Sequence, residues 1–321
     1  MNSYSLSQRI LHDIVFSNEL INNFLYEIEK KLYLSKSFDF SNNKHIFITG
    51  LPRSGTTSLL NFFYASGQFG SLKYKNMPFL LSPNLLGNFF YKQLSKSERI
   101  HMDGIKFDLN SPEAFDEYFF AKNASFMKNE LNNYIRLILN FENKEKYLSK
   151  NNSNYKRINS ILSLMPNSLF LIPIRDPLNH SYSLLRQHLH FIKIQRSDDF
   201  IRRYMNYIGH FEFGINHKSW CYSKNYDPLS LNYWLEQWNF FYKDIYINNF
   251  NNPSCFFIIY EYLENKNYID RILNKAGIDN YKNFNHFKNS NKIDINIEYS
   301  QILYSESCSI YQKFIELSKF S

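Results

Sequence analysis

Cysteine is scarce: 3 among 321 residues, Cys221, Cys255 and Cys308, with no C-x-x-C pair. Isolated thiols in odd number give neither a disulfide framework nor a zinc site, so a reducing compartment, the cytoplasm, is expected. Glycine and proline are also few, 9 of each, and no Gly/Ser-rich or Pro-rich linker divides the chain. The expectation is an N-terminal helical extension over residues 1–43, followed by one domain over residues 44–321. Long apolar runs are missing too. Met1 to Leu32 interleaves Arg9, Asp13, Glu19, Glu27, Glu29, Lys30 and Lys31 with apolar residues at helical spacing, unlike a secretory signal. Pro78 to Tyr91 is interrupted by Ser82, Pro83, Asn84 and Gly87 and is too short to cross a bilayer. Nor is there a long basic run. The net charge of +8 is spread along the chain, which argues against nucleic acid and suits an anionic nucleotide. It leaves an acidic glycan or a peripheral contact with an anionic membrane open.

What is present is enough apolar material for a sizeable core, 44% hydrophobic and 18% aromatic. The informative stretch is His45-Ile46-Phe47-Ile48-Thr49-Gly50-Leu51-Pro52-Arg53-Ser54-Gly55-Thr56-Thr57-Ser58-Leu59-Leu60. A strand runs into a Gly/Pro turn, and a Ser/Thr cluster opens an apolar helix that continues through Tyr64 and ends near Gly67. The first N–H groups of such a helix have no intrahelical partners and carry the positive end of the macrodipole, so the loop is suited to phosphate. Gly50 and Gly55 have the spacing of a Walker A loop, but Thr56 stands where that motif has lysine, and Arg53 supplies a fixed cation instead.

The segment Pro52-Arg53-Ser54-Gly55-Thr56-Thr57 resembles the 5′-phosphosulfate loop of sulfotransferases, in particular the bacterial carbohydrate and glycolipid types. A second match lies at Arg175-Asp176-Pro177, at the end of an apolar strand, Ser168 to Ile174. Ser183 follows Arg175 by eight residues. In that family an Arg and a Ser so spaced bind the donor's 3′-phosphate, and a helix from Pro177 brings the Ser183 hydroxyl back toward the strand end after about two turns. The resemblance implies 3′-phosphoadenosine-5′-phosphosulfate as co-substrate. It assigns the 5′-phosphosulfate to Arg53, Ser54, Gly55, Thr56, Thr57 and Ser58, and the 3′-phosphate to Arg175 and Ser183. Tyr260, in Tyr260-Glu261-Tyr262-Leu263, matches the family's adenine-side tyrosine, while Tyr262 replaces its Asp.

Lys150 matches the lysine that approaches the transferred group in cytosolic members, but Asn152 stands where those enzymes place a basic histidine. The candidate base is therefore His101, oriented by Asp103, with Glu113 and Glu117 next. Ser111 and Pro112 read as the N-cap and first position of a helix whose positive end Glu113 and Asp116 complement. Lys73 and Lys75 read as a solvated strand edge, and Pro173 hints at a bulge or a sheet edge. Trp234, Leu235, Trp238, Phe241 and Ile245 have the period of a packed helix. Phe287 to Lys292 is the nearest counterpart of the family's second 3′-phosphate clamp.

The expected fold is α/β, a three-layer P-loop-like arrangement with a central parallel sheet between helices and ligands at the strands' carboxyl ends. The expected activity is transfer of a sulfuryl group to a hydroxyl of a carbohydrate or glycolipid, without a metal, since fixed cations and backbone donors can meet the charge. A P-loop kinase with an aberrant loop is the alternative enzyme. A nucleotide- or glycan-binding module that has lost its base is the non-catalytic one.

Overall fold

The computed structural model describes residues 4–34, 40, 42–87, 97–98, 104–122, 127–221, 226–278, 287 and 295–320, with backbone alone at 97–98, 127–129 and 320. Two helices, α1 (Leu6–Ser17) and α2 (Glu19–Tyr33), lead into β1 (Ile46–Ile48), α3 (Thr56–Tyr64) and β2 (Phe69–Gly70). Next come α4 (Pro83–Leu86), a hairpin of β3 (Ser97–Glu98) and β4 (Lys106–Phe107), α5 (Glu117–Lys122), α6 (Met127–Glu142), β5 (Lys146–Lys150) and α7 (Ile158–Leu162). The chain continues through β6 (Leu169–Ile174), α8 (Pro177–Ser197), α9 (Asp199–Tyr207), α10 (Leu231–Asn249), β7 (Cys255–Ile259), α11 (Lys266–Ala276) and α12 (Gln301–Phe320).

Among the described residues the main sheet has five parallel strands in the order β2-β5-β1-β6-β7. Its layering follows from the period-2 alternation of strand side chains. Ile46 and Ile48 face one side with Leu148, Leu169, Leu171, Phe256 and Ile258, where α3 adds Leu59 to Phe63 and α11 adds Ile269 and Ile272. Phe47, Tyr147, Phe170, Ile172 and Phe257 face the other, packed with Ile135 and Ile138 of α6, Leu184 of α8, Trp238 of α10 and Phe314 of α12. Both faces are thus apolar, as a parallel sheet between helices requires. The expected three-layer α/β fold is what the chain adopts. Phe16 of α1 and Tyr26 of α2 belong to this second core.

Two polar groups shift from their sequence expectations because long-range partners override local pattern. Ser111 caps no helix: its hydroxyl bonds Asp108, and Pro112 bridges to Lys73 while the Glu113 N–H donates to the Leu72 carbonyl. The segment is extended, and α5 begins only at Glu117. Lys73 is not a solvated edge either, because its ammonium sits 2.6 Å from the Glu142 carboxylate with both side chains buried. Pro173 lies between β1 and β7 rather than at an edge. Its carbonyl faces Gly50 just past the end of β1, so the missing N–H falls where the ladder to β1 has already stopped.

Candidate active site

The carboxyl ends of β1, β5, β6 and β7 deliver Pro52, Arg53, Gly55 to Ser58, Lys150, Arg175 and Tyr260 to one cleft. β1 lies between β5 and β6, so the strand order reverses at it, and an open parallel sheet forms its ligand crevice at such a point. The loop after β1 needs unusual backbone. Gly55 has φ +102°, and Arg53, although not glycine, has φ +71°. A side-chain-bearing residue in that region costs about 1–3 kcal/mol and persists where its surroundings hold it, typically at binding sites. The N-cap of α3 is Gly55, which has no side chain of its own to occupy the positive end of the helix, and Gly55 to Ser58 line the cleft there.

The loop is braced from behind by His180 of α8. The Trp238 indole N–H, which can only donate, points at Nδ1 (3.2 Å), so Nε2 carries the proton and donates to the Pro52 carbonyl at 2.8 Å. Burial, offset in part by that carbonyl and reinforced by Arg175 and Arg53, pushes the His180 pKa down to about 3. Burial also holds His12, His45 and His188 at about 4. All four are neutral in the folded chain and ordinary in the unfolded one, so below pH 6.5 the unfolded state binds more protons. Their contribution to stability is complete above pH 6.5 and is lost as pH falls toward 4. Burial lowers His217 as well, while Asp116, raised to about 6 by burial, and Glu29, also raised by burial, work in the opposite sense and are outnumbered by the histidines. The urea midpoint should therefore fall steadily between pH 7 and pH 5; a flat profile would show that these rings are charged in the fold.

The cations interlock. The Arg53 Nε donates to the Ser183 hydroxyl at 3.2 Å, the Arg175 guanidinium reaches the Arg53 carbonyl at 3.4 Å, and it also lies 5.2 Å from the Tyr260 ring centre. The two phosphate motifs read from the sequence are thus one unit, with Arg53 touching the serine assigned to the other phosphate. Ser54 is turned inward, donating to the Leu51 carbonyl at 2.7 Å, and does not line the cleft, whereas Gly55, Thr56, Thr57 and Ser58 do.

The candidate bases separate clearly. His101 and Asp103 lie outside the described residues. Glu117 is held in a fork by Arg157 at 2.7 and 2.9 Å and by the Asn151 amide at 2.9 Å. Glu113 lines the cleft, accepts from the Tyr74 hydroxyl at 2.8 Å and from the Ala114 N–H at 2.9 Å, and stands 3.9 Å from the Lys150 ammonium. The extended course of Pro112 and Glu113 beside Leu72 and Lys73 is what puts it there. The cleft also contains residues sequence reasoning passed over: His210, Glu212 and Phe213, on the turn after α9. Their one local signal is the flanking pair Gly209 and Gly214, both at positive φ. Of the proposed second phosphate clamp, Phe287 packs on Phe62, and Lys288 to Lys292 lie outside the described residues. Among the described residues no group of three or more His, Cys, Asp or Glu side chains is placed to hold a metal ion, and no helix is long and apolar enough to cross a membrane.

A profile of the sulfotransferase family matches residues 45–282, from the start of β1 to just beyond α11. No curated protein matches the chain. Among solved structures, the sulfotransferase STF1 of Mycobacterium tuberculosis is similar at 12% identity, over 97% of this chain and 87% of that one, with a TM-score of 0.48. STF9 of Mycobacterium avium is 11% identical over 98% and 79%, with a TM-score of 0.46. A sulfotransferase of Alicyclobacillus acidocaldarius is 13% identical over 86% and 94%, with a TM-score of 0.39. The family profile spans most of the chain and takes in every strand whose carboxyl end lines the cleft: the protein belongs to the sulfotransferase family.

Proposed function

We propose that this chain transfers a sulfuryl group from 3′-phosphoadenosine-5′-phosphosulfate to a hydroxyl of a saccharide or glycolipid. The observation that carries this reading is the convergence of Arg53, Lys150 and Arg175, from three separate strand ends, on the start of α3. Arg53 and the N–H groups from Gly55 to Ser58 would hold the 5′-phosphosulfate, Arg175 and Ser183 the 3′-phosphate, and Tyr260 offers an aromatic face on the adenine side. Residues of these types fit a nucleotide with two separate anionic groups, because guanidinium forks and helix N-termini are strong phosphate ligands that need no metal.

In the transfer, the acceptor oxygen bonds to sulfur as the bond from sulfur to the 5′-phosphate oxygen breaks. The hydroxyl proton passes to the Glu113 carboxylate, and the charge left on the phosphate meets Arg53 and the start of α3. Lys150, beside Glu113, faces the charge on the oxygens of the group in flight. The products are a sulfate ester and 3′-phosphoadenosine-5′-phosphate.

Calorimetric titration with that bisphosphate, against ATP with and without magnesium, is the direct test. Binding of the bisphosphate without magnesium is expected, and Arg175→Ala should weaken it roughly 10- to 100-fold, the worth of one or two charge-assisted hydrogen bonds. If only magnesium–ATP binds, the chain is a kinase-like nucleotide enzyme and the proposal is wrong.

A further inference from the structure

Part of the cleft is left over by the donor. Asn152 lies two residues beyond Lys150, is only 7% exposed, and donates through Nδ2 to the Glu212 carboxylate at 3.0 Å. Its Oδ1 has no hydrogen-bond partner among the described residues, an uncommon state for a buried carbonyl oxygen. His210 also lines the cleft; its Nε2 meets the Ala114 carbonyl at 2.9 Å, so Nε2 carries a proton and, in the neutral ring, Nδ1 is left as an acceptor. Ile105, Met205 and Phe213 provide apolar wall beside these groups.

The loop that carries His210 and Glu212 is anchored. The Gly214 N–H donates to His188 at 3.3 Å and the Ile215 N–H to the Gln195 carboxamide at 2.7 Å. A Cβ on Gly209 would stand 2.8 Å from the Glu117 side chain, so the turn is packed tightly against α5. The site is therefore part of the fold.

Apart from the Lys150 ammonium, which stands 3.9 Å from Glu113, the polar groups here are acceptors: Asn152 Oδ1, His210 Nδ1 and the carboxylates of Glu212 and Glu113. An occupant must bring donors, and an anionic one would face two carboxylates. Resting on the donor assignment above, we propose that this is the acceptor subsite, that it takes an uncharged polyol of the neutral-sugar kind, and that Asn152 and Glu212 receive two of its hydroxyl protons. The asparagine at the position of the cytosolic enzymes' histidine thus orients the substrate while Glu113 takes the proton. The apolar wall meets the C–H face of the sugar ring, and acceptors bearing a carboxylate or sulfate near the reacting hydroxyl are turned away.

Saturation-transfer NMR with p-nitrophenyl β-D-glucopyranoside and the matching β-D-glucuronide tests this on the intact chain, with and without the bisphosphate. The two probes differ in a hydroxymethyl group against a carboxylate. The glucoside should bind at least about tenfold tighter, with saturation on its sugar protons, and Glu212→Gln should narrow the gap to about threefold or less. Bisphosphate affinity, read by calorimetry on the same variant, should be unchanged. Equal binding of both sugars, or binding of neither, overturns the proposal. Failure of the bisphosphate to bind would instead remove the donor assignment, and discrimination between the sugars would still decide the subsite.

Discussion

Glu113→Gln is expected to lower turnover by about 10²- to 10⁴-fold, the usual worth of a positioned general base, with little change in bisphosphate affinity. Glutamine keeps the size, and its Oε1 can still accept from the Ala114 N–H while its Nε2 donates to the Tyr74 hydroxyl oxygen, so the extended segment beside Lys73 should stay in place. What it loses is the ability to take a proton beside Lys150. Steady-state kinetics should place the loss in kcat rather than KM, because the effect arises only as the acceptor is deprotonated. With Glu113 in this role, His101→Ala should keep near wild-type turnover. The opposite pattern, an active Glu113→Gln and an inactive His101→Ala, would move the base to the histidine.

The second large effect is expected at Gly55, where alanine meets two obstacles. The backbone has φ +102°, which disfavours any side chain by about 1–3 kcal/mol. The added Cβ would also stand 2.6 and 2.8 Å from two ring carbons of Tyr260. Relief requires the ring to leave its place against Arg175, disturbing three donor-site groups at once. Gly55→Ala should therefore reduce bisphosphate affinity more than tenfold and lower the urea midpoint. Adding Tyr260→Ala should restore part of the stability, since it removes the collision, but not the share due to φ. Wild-type affinity in Gly55→Ala would mean that the loop adjusts freely and that Tyr260 is no part of the site.

Local pattern made the strand, loop and helix of the proposed donor site legible. The continuous apolar run Ile46 to Ile48, the two glycines and the Ser/Thr run each point to the same strand, loop and helix, and agreement among local signals is what a well-specified segment shows. Arg175 and Ser183 were readable for the same reason, as one strand end and two turns of one helix. The proposed acceptor half was not readable, because its geometry comes from pairings distant in sequence. Ser111 and Pro112 have the composition of a helix start, but backbone pairing with Leu72 and Lys73 keeps them extended and carries Glu113 into the cleft. Lys73 reads as exposed until Glu142, on α6, is brought beside it. Glu212 and His210 sit in a turn without periodicity, and nothing local distinguishes a cleft-lining turn from any other between two glycines.

Arg53, Lys150, Arg175 and Tyr260 come to the cleft from four strand ends, and the central strand, β1, pairs with partners about a hundred residues or more downstream. Such long-range pairings form late and slowly when a chain folds. An intermediate that has closed α3 on β1 alone holds one quarter of the site, and one lacking β7 has no Tyr260 beneath Arg175. On the proposed donor assignment bisphosphate would recognise only the finished topology, so it should slow global unfolding while leaving the fraying of α1 and α2 untouched, and amide exchange in its presence would outline the last cooperative unit to assemble.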